Sequence, residues 1–167
     1  MIEGEGTLQL LAEVSIAFAG FSGVVGVFGG GSALSEAERS FRVRMLIVTS
    51  LAAFFGSLLP LVLGEFEFLI PWVWTLCCPL MASFVAIISF SVHRQTGTLA
   101  AAGDYARPWF APLVYVTNAL LVIALLGAAV AILPGHSFYV ATIVWYLALS
   151  SLHFLLLVVQ TRPRSAV

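Results

Sequence analysis

Five apolar stretches, each long enough to cross a bilayer, divide this 167-residue sequence, and all seven arginines fall in three of the segments that follow them. Apolar runs of about 18 residues or more read as membrane spans, because about 20 helical residues cover the hydrocarbon thickness. Arg39, Arg42 and Arg44 follow the first stretch, Arg94 and Arg107 lie between the third and fourth, and Arg162 and Arg164 follow the fifth. The remaining segments carry Glu3 and Glu5, Glu65 and Glu67, and the short Pro134-Gly135-His136-Ser137 turn. Cationic loops stay on the cytoplasmic side during insertion. This pattern predicts an all-α integral membrane protein: a bundle of five transmembrane helices, N-terminus outside and C-terminus cytoplasmic, in a bacterial inner membrane or its equivalent.

The expected spans are about Thr7–Phe28, Met45–Leu63, Leu69–Val92, Trp109–Leu133 and Phe138–Gln160. They use nearly the whole chain, leaving a single transmembrane domain and no room for a soluble one. The composition agrees, at 61% hydrophobic and 9% charged against roughly 25% charged in soluble proteins. Without a basic domain, nucleic-acid binding is not expected. Lysine is absent, which excludes Schiff-base chemistry. The first stretch reads as a span rather than a cleavable signal, since its leading residues are acidic and its apolar run is too long for a signal core.

Local signals refine this outline. Ser35-Glu36-Ala37-Glu38 has capping-box spacing and predicts a helix running through the arginines into the second span. Pro60 and Pro79 predict kinks. The segment from Gln95 to Gly103 reads as coil or a short surface helix. Lipid provides no hydrophobic drive for helix association, so small and polar residues mark helix contacts. In the first span Ser22, Gly26 and Gly30 form a small-residue arc, with Leu10, Val14, Phe18 and Phe21 on a bulky, lipid-facing one. A third arc carries Glu13 with Ala17, Gly20 and Val24, so neighbours are expected on two faces of this helix. Thr49, Ala53, Gly56 and Pro60 mark the inner face of the second span. Thr75, Pro79, Ala82, Ala86, Ser89 and His93 mark that of the third.

The fifth span carries the clearest internal signal, a polar stripe of Tyr139, Thr142, Tyr146, Ser150, His153 and Gln160 at helical spacing. Such a stripe is either an interhelical hydrogen-bond seam or the wall of a hydrated path. Asn118, in the fourth span, falls at a depth comparable to His153, within reach of a hydrogen bond. Glu13 lies roughly 9 Å inside the first span, from the rise per residue. At that depth an ionisable group signals function, whereas a later start to the span would place it among the headgroups.

Glu13, Asn118, Tyr146, Ser150 and His153 are therefore the candidate pathway residues. No catalytic residue, metal site or cofactor is expected. Cys77 and Cys78 are adjacent and read as packing residues. His93 and His153 lack the supporting pattern that a haem site would need. The expected function is passage of an ion, proton or small solute by a small channel or transporter-like protein, embedded in the lipid bilayer as a homo-oligomer or beside other membrane subunits. The alternative is a non-catalytic membrane subunit or assembly partner of a larger complex.

Overall fold

Ser35 sets the start of a 29-residue helix: its side-chain oxygen accepts from the Glu38 amide at 3.1 Å, with Ser35 in an extended backbone conformation. Helix α2 (Glu36–Gly64) then runs without a break through Arg39, Arg42 and Arg44 into the apolar stretch, as the capping spacing predicts. The computed structural model describes residues 4–28, 35–101 and 110–160, and these are helical apart from short connections. The other elements are α1 (Glu5–Phe28), a short 3-10 helix (Glu67–Trp72), α3 (Val73–Ala101), α4 (Phe110–Ala129) and α5 (Gly135–Gln160). Among the described residues four helical segments are long and apolar enough to cross a membrane: α2, the 3-10 helix with α3, α4, and α5.

Three boundaries differ from the sequence reading. α3 continues to Ala101, so the start of the Gln95–Gly103 segment is helix. α4 ends at Ala129 instead of reaching Leu133. There Ala131 turns left-handed at φ 60°, its amide donates to Ala128 O at 3.1 Å, and the Ile132 amide donates to Gly127 O at 3.0 Å. This pair of bonds is a Schellman C-cap, normally built on glycine. α5 begins at Gly135, so Gly135, His136 and Ser137 form its first turn instead of a loop. A Cβ on Gly135 would lie 2.8 Å from the Trp74 Cβ, which shows how closely the start of α5 meets α3.

α5 is the central helix, in contact with all four others, while α2 sits between α1 and α5 and α3 packs against α4. Phe41, Arg44 and Gln95 line one groove, so the end of α2 bearing arginines lies beside the C-terminal part of α3. At the opposite end Trp74 packs on His136, and a Cβ on Gly4 would collide with the same imidazole. The described arginines and the described acids of the connections thus occupy opposite ends. Arg107, Arg162, Arg164 and Glu3 lie outside the described residues.

The inner face expected for α2 is the observed one: Thr49, Ala53, Gly56 and Pro60 are all buried. That of α3 is rotated. Cys77, Cys78, Met81, Val85 and Ile88 fill the interior, while of the expected stripe Thr75, Ala86 and His93 are exposed, Pro79 and Ser89 are half-buried and Ala82 alone is buried. Bulky side chains are not excluded from a membrane-protein interior, since packing rather than hydrophobicity decides which face is buried. α1 is also less enclosed than expected. Leu8, Ala12 and Ser15 form its buried face, whereas Glu13, Ala17, Gly20 and Val24 are exposed. Within one chain α1 therefore packs on one side. Gly30 lies outside the described residues, as do the side-chain surroundings of Ser22 and Gly26.

Pro60 explains one contact that ties the bundle together. Lacking an N–H, it leaves the carbonyl four residues earlier, on Gly56, without its helical donor. The Tyr139 hydroxyl of α5 donates to that oxygen at 2.8 Å. Neighbouring helices commonly re-satisfy a backbone group freed by proline in this way.

Candidate functional site: a cavity between four helices

The polar stripe of α5 faces the interior, and Tyr139, Thr142, Tyr146 and Ser150 are fully buried. Its hydrogen bonds divide it. Tyr139 is committed to Gly56, and the Thr142 hydroxyl donates to Phe138 O of its own helix at 2.8 Å. Ser150 meets Thr49 at 2.6 Å and accepts from Ser50 at 3.1 Å, while Thr49 donates to Met45 O at 2.7 Å. Each hydroxyl carries one proton, so these bonds order themselves as Ser50 to Ser150 to Thr49 to the Met45 carbonyl. Ser150 is thereby spent on joining α5 to α2. The Gln160 side chain lies outside the described residues.

Tyr146 and His153 are different. The Tyr146 hydroxyl and His153 Nδ1 are buried atoms with no hydrogen-bond partner. Both line a cavity of about 50 Å³ enclosed by α2, α3, α4 and α5. Met45 and Thr49 supply its α2 wall, Val92 and Thr96 its α3 wall, and Tyr115 and Asn118 its α4 wall. The cavity lies in the half of the bundle nearer the arginines. In the other half, Val85, Met81, Ile143 and Tyr139 fill the interior, each at most 4% exposed.

Asn118 lines the same cavity, but its amide is otherwise engaged. Its Nδ2 donates to Ser89 Oγ at 2.9 Å and its Oδ1 accepts from Trp145 Nε1 at 2.9 Å. It therefore shares the cavity with His153, with its own bonds directed to Ser89 and Trp145 in place of the expected one. Glu13 stands apart, exposed on α1, which forms no part of the lining. Cys77 and Cys78 are free and buried in the apolar half, with the Cys78 thiol 3.8 Å from Gly135 O.

Two groups near the cavity were not singled out from sequence. Thr96 is buried against Tyr115, hydroxyl to hydroxyl at 2.7 Å, and the Tyr115 ring packs edge-on to His93. Arg42 and Glu38 form a buried ion pair, with Arg42 Nε donating to Glu38 Oε1 at 3.1 Å. The i,i+4 spacing of this pair was a legible signal, though its burial was not. Comparison with protein-family models, with curated proteins and with solved structures gives no match.

Proposed function

We propose that the chain is a five-span bacterial inner-membrane protein, N-terminus outside and C-terminus cytoplasmic, that passes a proton, ion or small solute. The observation that carries this reading is the pair of unspent hydrogen-bonding atoms, on Tyr146 and His153, that border a mostly apolar cavity inside the bundle. In lipid, polar groups without partners are costly and concentrate where substrates or protons travel. The cavity lies toward the arginine-bearing end, and the apolar packing of Ile143, Met81 and Val85 stands between it and the acidic end. On this reading the arrangement is a vestibule closed on one side. Apolar constrictions of this kind gate by excluding water. α1, with 24 residues, supplies the fifth span.

The reading as a membrane subunit has its own support. Gln9, Glu13, Ala17 and Gly20 are exposed on α1, where a polar group beside small residues suits a neighbouring helix. A homo-oligomer would satisfy the same face without excluding passage through the cavity.

The test is flux through purified protein in liposomes, with and without a pH gradient. Wild type should carry a flux that His153→Phe removes or makes independent of pH. Superimposable flux–pH curves for the two proteins would exclude a role for His153, and absence of any flux would favour the subunit.

A further inference from the structure

The cavity's hydrogen-bonding capacity can be assigned group by group. Thr96 and Tyr115 bond one another, Asn118 is spent on Ser89 and Trp145, and Thr49 is spent on Met45 O and Ser150. Each of these groups has at least one partner, whereas the Tyr146 hydroxyl and His153 Nδ1 have none. The two residues are seven positions apart, two turns, on one face of α5, and neither atom has a partner in the protein. A cavity needs roughly 10–15 Å³ to admit a water and each water takes up about 30 Å³ of liquid volume, so a cavity of about 50 Å³ has room for about one or two. The volume and the two unpartnered polar atoms therefore call for the same occupant.

Charge excludes the other small occupants. No carboxylate is among the lining residues, so a metal cation has no counter-charge. Arg42 is already paired with Glu38, so an anion has no free cation. The titratable groups that share the cavity lining with His153 are Tyr146 on its own helix and Tyr115 on α4, whose ring meets His93 of α3, and the Arg42–Glu38 ion pair lies on α2 beside the lining residue Phe41. On the α1 side Phe154, next to His153, meets the ring of Phe21.

We infer that the cavity binds a short chain of water molecules joining the Tyr146 hydroxyl to His153 Nδ1, and that this chain exchanges protons with the arginine-bearing end. The inference rests on the passage reading only in naming the proton as the species passed. The Tyr146 hydroxyl keeps its proton and donates it as a hydrogen bond to the first water, which gives the chain its direction. Neutral imidazole accepts a proton at Nδ1 from a protonated water at the other end, leaving imidazolium and neutral water. Return of that proton to water restores both groups, with no other reactant consumed.

The experiment uses the full chain in lipid nanodiscs with histidine labelled by nitrogen-15. Magnetisation transfer from water to the His153 ring nitrogens is expected in wild type, with a ring signal that shifts with pH. Tyr146→Phe, which keeps the ring and removes the anchoring hydroxyl, should weaken that transfer. A folded wild type with no transfer to His153 and a ring fixed in one neutral tautomer would overturn the inference. Liposome flux separates the two proposals. Flux persisting beside a dry cavity overturns this site alone, whereas a hydrated, titrating His153 without flux supports the site and overturns passage.

Discussion

Tyr139→Phe is the most discriminating perturbation of the fold, because its cost depends on a proline in another helix. The substitution keeps the ring, whose centroid lies 5.7 Å from that of Trp74, and removes only the donor to Gly56 O at 2.8 Å. Gly56 is buried and Pro60 supplies no N–H, so the carbonyl is left unpaired. Stranding a buried acceptor costs about 1–3 kcal/mol. Intramembrane hydrogen bonds average about 0.6 kcal/mol and reach about 1.7. An expected loss of about 1.5 kcal/mol therefore sits near the upper end of that range. In a Pro60→Ala background the restored amide can bond Gly56 O within the helix, and the loss should fall below about 0.5 kcal/mol. The resulting coupling, about 1 kcal/mol, exceeds the additivity error of about 0.3–0.5 kcal/mol. Equilibrium unfolding of the four proteins in mixed micelles, followed by tryptophan fluorescence, measures it directly. Equal losses in the two backgrounds would show that the freed carbonyl is not what Tyr139 satisfies.

Other substitutions test separate features by the same unfolding assay unless stated. Ala131→Gly should stabilise by about 1 kcal/mol, the order of the left-handed penalty it relieves; a loss would contradict the C-cap assignment. Gly135→Ala should destabilise because its Cβ would lie 2.8 Å from the Trp74 Cβ. Gly97→Ala, with nothing within 4 Å of the added Cβ, should gain up to about 1 kcal/mol from helix propensity, and equal effects at the two glycines would refute the close approach. After replacement of both native cysteines by Ala, Glu67→Cys should react with an impermeant thiol reagent from outside sealed cells and Arg44→Cys should not. Labelling of the second alone would invert the proposed orientation.

What could be read from the sequence follows from how local each signal is. The helices themselves were legible as apolar runs, and Ser35 with Glu38 announced the start of α2 within four residues. The end of α4 was not, because alanine at position 131 gives no sign of the left-handed turn that glycine would advertise. Gly97 and Thr98 made the end of α3 resemble a loop, although Thr96 continues its buried face toward Tyr115. The inner face of α3 was misread because small residues were given priority over Cys77, Met81 and Val85, which fill the interior by volume. At the site, Asn118, Tyr146 and His153 were legible as polar residues in apolar surroundings. Their division into spent and unspent groups was not. That depends on Ser89, Trp145 and Thr49, brought from other helices, and on a volume that no single helix defines.

The stripe on α5 presented two alternatives in sequence, a packing seam or the wall of a path, and the hydrogen bonds place some of its residues in a seam and leave Tyr146 outside it. Tyr139 and Ser150 each bridge to α2, at Gly56 and at Thr49 with Ser50. Tyr146 lies between them and faces the cavity without a partner. Under the proposed passage, opening toward the acidic end must separate α5 from α2 at Tyr139 while the bonds at Ser150 hold. The hydrogen bond at Tyr139 contributes only on the order of 1 kcal/mol to that step, so most of the resistance comes from separating Ile143 and Met81 in the packed interior. Gly56 admits such packing, since a Cβ there would lie 3.2 Å from Met81 Cε. Gly56→Ala should therefore press on the plug where α2, α3 and α5 meet. It should change flux more than occupancy of the cavity by water, whereas Tyr146→Phe should do the reverse. If both substitutions alter flux and hydration in the same proportion, the seam and the path are not separate parts of this helix.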